Sequence, residues 1–405
     1  MSKIEELIQE YCPDGVEFKY LWEVTAWDKK FNAVANHKQK KTHKYTYLLA
    51  SALRKLAVED GDVKLLSTGG EAYGWTNDKL AGENISSGEI VAIPWGGKAT
   101  VQYYSGKFIT ADNRIATSLD TDNLDNKYLY YFMLSKLHTI QSFYRGSGIQ
   151  HPSMSKVLDM RLPVPPLEVQ KEIVKILDKF TQLEATLSAE LELRRTQYAM
   201  YRRDLMIFSE KVETVKLHEL IQFINAKPHE KLVDPQGDII LMTSKFVSTQ
   251  GRSARRIKSE DVLTPAIADD IALVMSDLPN GRALARAYYI ETSNKYAANQ
   301  RVCLLRTLNT KRVLPKFLYY SVDRNKQLLK YDSGFDQTHL KKDWIMNMNI
   351  FIPSIAEQIK IVEIFDTFES LINSMSTGLP AEIAARRQQY EYYRNKLLAF
   401  KDLSI

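Results

Sequence analysis

Residues 165–180 read Pro-Pro-Leu-Glu-Val-Gln-Lys-Glu-Ile-Val-Lys-Ile-Leu-Asp-Lys-Phe, and the stretch returns as Pro-Ser-Ile-Ala-Glu-Gln-Ile-Lys-Ile-Val-Glu-Ile-Phe-Asp-Thr-Phe over residues 353–368. In each copy, apolar residues follow one another at alternating steps of three and four, which indicates a helix with one apolar stripe. We call these stripes the seams: Ile173, Ile176, Phe180, Leu183 and Leu187 in the first copy, and Ile361, Ile364, Phe368, Leu371 and Met375 in the second. Two long related helices are therefore predicted, one in the middle of the chain and one at its end.

The repeat extends beyond the two seams. Both predicted helices end on the pattern Arg-Arg-x-Gln-Tyr-x-x-Tyr-Arg-x-x-Leu-x-x-Phe, at residues 194–208 and 386–400. The stretch Val16–Val24 resembles Val212–Leu220, and short strand-like runs with turn residues follow in both halves. The internal repeat thus covers the whole chain, in the order unit, helix, unit, helix.

The repeat divides the sequence into four predicted segments. Residues 1–165 and 209–353 are predicted to be two related α+β domains, each with a mixed, largely antiparallel sheet and helices. Residues 166–208 and 354–405 are the predicted helices, whose single seams need a partner, and each helix offers one to the other. We therefore expect the two helices to pack antiparallel as a coiled coil, related by a pseudo-two-fold axis.

The second helix carries four residues more than the first, around Gly378–Ala381, because the offset between the copies grows from 188 to 192 residues. Four residues are close to one helical turn, so the seam returns to nearly the same phase. Glycine followed two positions later by proline usually stops or kinks a helix. A break is predicted there, with the helix restarting near Ala381.

The composition is that of an ordinary globular protein. The 405 residues suffice for two or three domains, and the contents of 44% hydrophobic and 26% charged residues indicate neither a disordered nor a membrane protein. No apolar run reaches the ~18 residues that a bilayer span needs, and the N-terminal residues lack a signal-peptide apolar region. The two cysteines, Cys12 and Cys303, exclude a Cys-x-x-Cys metal site. They also fit a reducing compartment, so we expect a cytoplasmic protein without membrane association.

The net charge of +6 is unevenly distributed along the sequence. Residues 209–353 carry 22 basic and 16 acidic side chains, which accounts for the whole excess, while the helical segments are close to neutral. A basic excess on a globular segment suits a phosphate-binding surface, because each neutralised phosphate releases counterions. The alternative, that the charge serves solubility alone, stays open on charge alone.

Motifs for catalysis are weak or absent in the sequence. Residues 277–280, Asp-Leu-Pro-Asn, only superficially resemble the Asn/Asp-Pro-Pro-aromatic motif of an amino-methyltransferase, and no Gly-x-x-x-x-Gly-Lys-Ser/Thr loop occurs. Residues 17–19 and 62–64 have a nuclease-like acid-x-Lys form without a convincing second acid. The seven histidines show no metal-ligand spacing. We therefore predict no catalytic residue and no metal site in this chain.

Several segments are candidates for contact with duplex DNA. Residues 37–44 and 251–258 are loop-like basic clusters suited to phosphates or, through arginine, to guanine. The Gly-punctuated loops 144–151 and 331–337, and the Gly-rich stretch 67–75, add polar and aromatic candidates. The predicted DNA-binding residues are Lys38, Lys40, Lys41, Lys44, Tyr73, Gln150, His151, Arg252, Arg255, Arg256 and Gln337. The alternatives are a solvated loop for the basic clusters and a place in the core for Tyr73.

The repeated tail of each helix is the candidate docking surface for a partner protein. The predicted docking residues are Arg194, Arg195, Tyr198, Tyr201 and Arg202, with their repeats Arg386, Arg387, Tyr390, Tyr393 and Arg394. The alternative is that the tyrosines fill the seam, and we expect both roles, divided among different members.

Four motifs together resemble those of the specificity (S) subunits of type I restriction-modification enzymes. They are the Gly-Ser-Gly-x-Gln loop at 146–150, Pro-x-Pro-Pro-Leu-x-x-Gln at 163–170, the repeated helix tail, and Gly-Leu-Pro-Ala-Glu-Ile at 378–383. The resemblance covers the whole chain, in the order target-recognition domain, helix, target-recognition domain, helix. The second half departs from the family pattern, with Ser-Gly-Phe-Asp-Gln at 333–337 and Pro-Ser-Ile at 353–355.

The resemblance implies that each unit reads one half of a split DNA sequence and that the helices set the unread gap. It also implies that the helices dock modification subunits, two being expected, which bind S-adenosylmethionine and methylate adenine. Restriction subunits, which use ATP and Mg²⁺, are expected to join them, while this chain is expected to be non-catalytic and to hold no cofactor. Two alternatives stay open: a helical scaffold that tethers two protein-interaction domains without contacting DNA, and an unrecognised nuclease or methyltransferase.

Overall fold

The structure is a computed structural model that describes residues 3–69, 73–206, 212–278, 283–332, 334, 336–373 and 378–403. The chain separates into two compact units. Unit 1 comprises residues 1–188 and 382–405, and unit 2 comprises residues 189–381. Each unit therefore holds one predicted α+β domain together with parts of the long helices, and the boundaries of the four predicted segments stay a prediction.

The helices and strands follow one another as short elements until the first long helix. Up to residue 206 they are α1 (Lys3–Tyr11), β1 (Glu17–Tyr20), α2 (Leu21–Val24), β2 (Thr25–Trp27), α3 (Ala50–Lys55), β3 (Val63–Leu66), β4 (Trp75–Thr76), α4 (Asp78–Ala81), β5 (Ser86–Pro94), β6 (Gln102–Thr110), β7 (Asn113–Ser118), α5 (Asn126–Ser135), α6 (Leu137–Ser142), β8 (Tyr144–Arg145), β9 (His151–Pro152), α7 (Met154–Leu158), β10 (Arg161–Val164) and α8 (Leu167–Leu205). Helix α8 is 39 residues long.

The second half of the chain repeats this sequence of elements. From residue 212 they are β11 (Glu213–Lys216), β12 (Ile221–Asn225), β13 (Ile239–Met242), α9 (Ser244–Ser248), β14 (Arg255–Ile257), β15 (Pro265–Ala266), β16 (Ile271–Val274), β17 (Ser276–Asp277), β18 (Ala287–Tyr289), β19 (Tyr296–Ala298), β20 (Val302–Thr307), α10 (Pro315–Val322), α11 (Lys326–Leu329), β21 (Thr338–His339), α12 (Lys342–Met346), β22 (Asn349–Ile352), α13 (Ile355–Asn373) and α14 (Leu379–Leu397).

The main sheets of the two units share most of their strand pairings. In unit 1 the sheet order is β2-β7-β5-β6-β3-β4, antiparallel except for the parallel pair β3 and β6. In unit 2 the order β12-β20-β16-β18 matches the first four strands, and β13 pairs parallel with β19 as β3 does with β6. The long strand β6 corresponds to two short strands, β18 and β19, so unit 2 has two four-stranded sheets where unit 1 has one of six strands. The predicted α+β repeat, mixed and largely antiparallel, is confirmed.

A glycine at the same place in each unit allows two segments to approach closely. A Cβ atom on Gly61 would lie 2.3 Å from the Thr76 carbonyl oxygen, and one on Gly237 would lie 2.3 Å from the Ile257 carbonyl oxygen. Because a backbone carbonyl cannot swing aside as a side chain does, both positions need glycine. The repeated close approach shows that strands β4 and β14 occupy equivalent edge positions.

A buried glutamine ties the start of each long helix to its own domain. Gln170, which is fully buried, accepts from Asp125 N at 2.9 Å and donates to the carbonyls of Asn123 at 2.8 Å and Pro165 at 2.7 Å. The second-half glutamine, at position 358, repeats all three bonds with the backbone of residues 314, 312 and 353. The repeated glutamine therefore fixes the start of each long helix to its domain, a role that the sequence pattern alone does not reveal.

The first half of each long helix is buried against its own domain. Val169, Ile173 and Leu177 of α8 are buried in the domain core of unit 1, at steps of four residues. Two positions of the predicted seams, Ile173 and Ile361, belong to the buried face, whereas Leu183 of α8 and Ile364 of α13 are each 38% exposed. The seam position Met375 lies outside the described residues.

The helices pack on each other along the seams. In unit 1, the Phe180 ring lies 6.3 Å from that of Tyr390 and 5.6 Å from that of Tyr393. Glu184, one turn further along α8, pairs with Arg387 at 2.6 Å, one turn back along α14, so this pair of helices is antiparallel. In unit 2, Phe368 contacts residues 198 and 201 in the same way. The predicted helix packing is confirmed, and no described helix is both long and apolar enough to cross a membrane.

The predicted break in the second helix falls between α13 and α14. Helix α13 is described to Asn373 and α14 begins at Leu379, two residues before the predicted restart, with Pro380 in its first turn. Residues 374–377 lie outside the described part of the chain. A Cβ on Gly378 would come within 2.5 Å of the carbonyl oxygens of Ser370 and Leu371, so glycine is required where the chain turns into α14.

Candidate nucleic-acid interface

In unit 1, two loops come together at the end of strand β5. Residues 95–98 leave β5, and residues 146–151 run from β8 into the first residue of β9; we call the two together the unit 1 joint. Gly97 N donates to the Gln150 carbonyl at 2.9 Å. Because the Gln150 side chain is exposed, the backbone bond fixes the loop and leaves the side-chain amide facing solvent.

Trp95 is the centre of the unit 1 joint. The His151 ring lies 5.2 Å from the Trp95 ring, and His151 Nδ1 lies 2.7 Å from the Trp95 carbonyl oxygen. Two cations face the indole, with Lys29 Nζ at 5.5 Å and Arg114 Cζ at 4.8 Å from the ring centroid. Cations at such distances are attracted to the indole face. The joint therefore combines an exposed histidine, an aromatic ring and positive charge.

Arg114 supports the joint from inside the unit. Its side chain is buried and pairs with Asp28 at 2.7 Å and with Asp112. Burial raises the pKa of Asp28, and the Arg114 guanidinium opposes that shift. A buried charge of this kind is tolerated because it is paired and hydrogen-bonded. Lys29, by contrast, is exposed and is the cation of the pair that can reach a phosphate.

Unit 2 has a corresponding joint made from different residues. Strand β17 leaves β16 and pairs with β21, with Ser276 opposite His339 and Asp277 opposite Thr338. Gln337 Nε2 donates to Ser276 Oγ at 3.0 Å. The predicted DNA-binding Gln337 is thus held at the joint by its side chain. Residues 279–282, 333 and 335 lie outside the described part of the chain.

A lysine-rimmed aromatic stack lies next to the unit 2 joint. The Tyr331 and Trp344 rings are parallel within 5° and 3.8 Å apart. Lys330 Nζ lies 5.0 Å from the Tyr331 ring and Lys341 Nζ 5.2 Å from the Trp344 ring, and both lysines are exposed. Lys342, also exposed, neighbours them. This surface was not predicted, because the two rings are thirteen positions apart and only the adjacent lysines at 341 and 342 hinted at it.

Unit 1 has a smaller version of this feature at the equivalent place. Lys156 Nζ lies 5.6 Å from the Phe143 ring, beside the loop that leads into the unit 1 joint. Lys156 is exposed, as is Arg145 on β8. Both repeats therefore place cations around an aromatic ring at the same edge of the domain, which suits contact with a phosphate backbone.

The predicted basic cluster of residues 37–44 is divided by the fold. Lys38 pairs with Asp159 at 2.5 Å and is only one quarter exposed. Lys40 and Lys41 line a shallow recess beside Trp22, and Lys44 is exposed. Lys38 is therefore occupied within unit 1, whereas the other three lysines stay predicted DNA contacts.

The predicted residues of unit 2 and Tyr73 lie near equivalent edge strands. Arg255 and Arg256 are exposed on β14, and Arg256 Nη1 lies 3.4 Å from the Gly237 carbonyl. Arg252 is exposed and its Nε donates to the Thr249 carbonyl at 3.0 Å. Tyr73, just before β4, is half-buried, and the Arg54 guanidinium lies 4.8 Å from its ring. All four stay predictions for DNA contact.

Three of the predicted docking residues on α8 make contacts within unit 2, although Tyr201 is 43% exposed. The Tyr198 and Tyr201 rings lie 5.9 Å and 5.4 Å from Phe368. Arg202 pairs with Asp323 at 2.7 Å and is only 20% exposed. These contacts give the three residues a structural role within the unit, as the alternative interpretation of the tail expects for the tyrosines.

Their repeats on α14 are placed differently in unit 1. Tyr390 and Tyr393 contact Phe180, and burial raises the pKa of Tyr390 to about 12. Arg394 lies 5.4 Å from the Tyr390 ring, without the aspartate that its repeat has. The tyrosines of the tail thus pack on a seam phenylalanine in both units, whereas the arginine forms an ion pair in unit 2 and a cation–π contact in unit 1.

The remaining docking candidates are arginines on the outer faces of the helices. Each makes an ion pair with a glutamate of the helices: Arg194 with Glu190, Arg195 with Glu192, Arg386 with Glu382, and Arg387 with Glu184. Such exposed pairs contribute about 0–1 kcal/mol to stability, so a partner protein can exchange them at little cost. These arginines stay predicted docking residues.

Comparison with known proteins bears directly on these features. The sequence matches the family model for the type I restriction modification DNA specificity domain over residues 53–193 and again over 209–385, well over half of the chain. The chain belongs to the type I restriction-modification specificity subunit family. The two matches correspond to its two target-recognition domains.

Similar specificity subunits occur in bacteria and archaea. The EcoR124I/EcoR124II type I restriction enzyme specificity subunit of Escherichia coli is 30% identical over 307 residues, which is 71% of this chain and 74% of that protein. The MjaVIII specificity subunit of Methanocaldococcus jannaschii is 23% identical over 318 residues, 72% of this chain and 74% of that protein. The crystal structure of the S subunit from M. genitalium has the same fold, with a TM-score of 0.59 and 16% identity over 95% of this chain and 97% of that one.

The weak catalytic motifs of this specificity subunit have local structural partners. Glu17 pairs with Lys19 of its own strand at 3.2 Å, and Asp62 pairs with Lys107 at 3.1 Å. Half of the 277–280 motif lies outside the described residues. Within the described part of the chain, no group of three or more histidine, cysteine or acidic side chains is placed to hold a metal ion.

Proposed function

We propose that this specificity subunit recognises a bipartite duplex DNA site, with each target-recognition domain reading one half. The observation that carries the proposal is the repeated joint. In both units a Gly-punctuated loop is fixed against the end of the central strand, and at least one exposed lysine lies near an aromatic ring beside it. A pair of like surfaces on one chain suits a ligand that presents two similar faces, as the two halves of a split DNA site do.

The two kinds of surface have different tasks in this proposal. Exposed lysines and arginines around the joints contact phosphates, which supply most of the affinity but carry no sequence information. Side chains within the joints, such as Gln150, His151 and Gln337, contact base edges and supply specificity. Affinity is therefore spread over many residues, whereas sequence preference depends on a few.

The long helices set the unread gap and dock the modification subunits. The buried glutamines at 170 and 358 fix each helix to its own domain. A change in helix length is therefore transmitted to the domains and is not absorbed where the helix meets the domain. The arginines at 194, 195, 386 and 387 are the proposed docking residues; those at 195 and 387 are exposed and the other two are half-buried. We infer that two modification subunits bind there, and that restriction subunits join the assembly.

The proposed complex places the chemistry on its partners. S-adenosylmethionine is bound by the modification subunits and ATP with Mg²⁺ by the restriction subunits, while this chain acts in the cytoplasm as a non-catalytic reader. The two recognisable alternatives are a scaffold that does not contact DNA and a chain with its own methyltransferase or nuclease activity. Each makes a different prediction about salt and about omission of the partner.

The test reconstitutes the full chain with the modification subunit of its own system. The logarithm of the binding constant for duplex DNA is expected to fall linearly with the logarithm of the salt concentration, with a slope of about −0.9 per phosphate contacted. Sequencing of the methylated products is expected to show adenine methylation within a split motif, and none when either protein is omitted. Binding without a salt slope favours the scaffold, and methylation by this chain alone favours the enzyme.

The role of the helices has its own test. Deletion of residues 378–381 removes about one helical turn, roughly 6 Å of helix. The gap in the motif is expected to change, or binding to be lost, while the two half-site sequences stay the same. A changed half-site with an unchanged gap would show that the domains and helices do not divide the work in this way.

A further inference from the structure

The unit 1 joint holds His151 in one proton arrangement. Its Nδ1 atom lies 2.7 Å from the carbonyl oxygen of Trp95. A carbonyl oxygen can only accept a hydrogen bond, so Nδ1 carries the proton and donates it. In the neutral imidazole, Nε2 is then an acceptor and not a donor. The fold has therefore fixed which hydrogen-bonding character His151 presents at its outer edge.

The peptide group that precedes Trp95 is held at both of its ends, which fixes the residue whose carbonyl binds the ring. Trp95 N donates to the Asp112 carbonyl at 3.0 Å, and Tyr144 Oη donates to the Pro94 carbonyl at 2.7 Å. His151 also pairs with Arg145 across β8 and β9. The position of the imidazole is thus set by strands rather than by a free loop, as precise recognition requires.

The joint is open to a ligand at the same point. His151 is exposed, and its neighbour Ile149 is 71% exposed although it is apolar. The Ile149 methyl group would lie only 2.9 Å from a Cβ on Gly96, so the loop is seated against the β5 segment and does not shield the histidine. Exposed Lys29, 5.5 Å from the Trp95 ring, adds positive charge that suits an adjacent phosphate.

Unit 2 lacks this arrangement. His339 follows the unit 2 loop as His151 follows the unit 1 loop. In unit 2, however, the backbone N of Leu340 donates a hydrogen bond to the Met275 carbonyl at 2.7 Å. Met275 follows β16 as Trp95 follows β5, so a backbone group occupies the carbonyl that would fix the ring. The fixed histidine is therefore a property of the half-site that unit 1 reads.

We propose that His151 is a specificity-determining residue, which accepts at Nε2 a hydrogen bond from the exocyclic amino group of one adenine or cytosine in the half-site read by unit 1. This inference rests on the proposed DNA-reading function. In the major groove, adenine N6 and cytosine N4 are donors, whereas guanine and thymine present acceptors at the matching positions. An acceptor fixed by the fold discriminates between these two classes of base. The choice between adenine and cytosine then depends on neighbouring contacts.

The experiment compares methylation motifs of the full complex with wild-type chain and with three variants. His151→Ala removes the acceptor, His151→Arg replaces it with donors only, and His138→Arg is the control because it changes an exposed histidine of α6 in the same unit. A randomised duplex library is methylated, and the motif is read by sequencing. Circular dichroism of each chain verifies that it is folded, and the half-site read by unit 2 serves as an internal control.

Wild-type chain is expected to require adenine or cytosine at one position of the half-site read by unit 1. His151→Ala is expected to relax this requirement, so that discrimination against guanine and thymine at that position falls about five-fold or more. His151→Arg is expected to move that position toward guanine, while His138→Arg and the other half-site stay unchanged. An unaltered motif in both His151 variants, or changes in both halves, would overturn the proposal. A wild-type complex that methylates without any split motif would instead contradict the proposed function, independently of the variants.

Discussion

Replacement of the buried glutamine at the start of a long helix gives the most direct test of how the helices are joined to the domains. Gln170→Met keeps the side-chain length, the apolar stem and a high helix propensity, but it removes both the amide oxygen and the amide nitrogen. Three backbone groups lose their partners: Asp125 N and the carbonyls of Asn123 and Pro165. The matched variant Gln358→Met removes the same three bonds in unit 2.

The cost follows from the burial of these groups. A buried backbone group left without a hydrogen bond costs about 1–3 kcal/mol, so three groups cost about 3 kcal/mol even at the lower bound. For a unit of about 200 residues, each kcal/mol lowers the melting temperature by about 2–4 °C, so a decrease of about 6–12 °C is expected. The free energy of unfolding of the variant unit falls, while that of the other unit is unchanged.

The assay is denaturant and thermal unfolding of the full chain, followed by circular dichroism and by hydrogen exchange to assign each transition to a unit. Gln182→Met is the control, because Gln182 lies on the same helix and is exposed. It is expected to change the free energy of unfolding by less than about 0.5 kcal/mol. If Gln170→Met costs no more than Gln182→Met, the buried glutamine does not fix the helix to its domain.

Three further changes test other parts of the structure. Glu369 accepts hydrogen bonds from two tyrosine hydroxyls, and burial raises its pKa. A carboxyl group whose pKa is raised in the folded state contributes stability below about pH 4.3, and this contribution is lost as the pH rises through its pKa in the folded protein. The free energy of unfolding of wild type relative to Glu369→Gln is therefore expected to fall from pH 4 to pH 8, as measured by urea titrations, and an unchanged difference would refute it. Lys330→Ser combined with Lys341→Ser is expected to lower the salt slope of DNA binding by about 2 without changing the motif, as measured by fluorescence anisotropy. Gly378→Ala places a Cβ about 2.5 Å from the Leu371 carbonyl oxygen and is expected to destabilise unit 2 by about 1–3 kcal/mol in chemical denaturation.

The repeat and the fold class could be predicted because they depend on local signals. Helix periodicity, turn residues and a duplicated proline-to-glutamine start are all visible within windows of about 20 residues. The break at residues 378–381 was visible for the same reason, and the described restart at Leu379 lies close to the predicted one. The face buried against the domain was missed, because Val169 and Leu177 complete it only once the domain is in place.

The candidate site was harder to predict because its contacts join distant parts of the chain. Lys38 looks like a free loop lysine in the sequence, yet its partner Asp159 is 121 positions away. The contact between Trp95 and His151 spans 56 positions, and the sequence around neither residue predicts it. Loop residues can be proposed from composition, but whether an ionic partner already occupies them is decided by tertiary structure.

The repeated tail shows why identical sequence does not give identical function within one chain. Arg202 and Arg394 occupy the same position of the same pattern, and each follows a tyrosine that packs on a seam phenylalanine. Arg202, only 20% exposed, pairs with the buried Asp323 of its own domain, so this arginine is part of the packing of unit 2. The domain helix of unit 1 has Leu134 at the matching place, so the half-buried Arg394 lies over the Tyr390 ring instead, 5.4 Å from its centroid. The helix therefore supplies the same group twice, and the domain decides whether it forms an ion pair with a buried aspartate or a cation–π contact with a tyrosine.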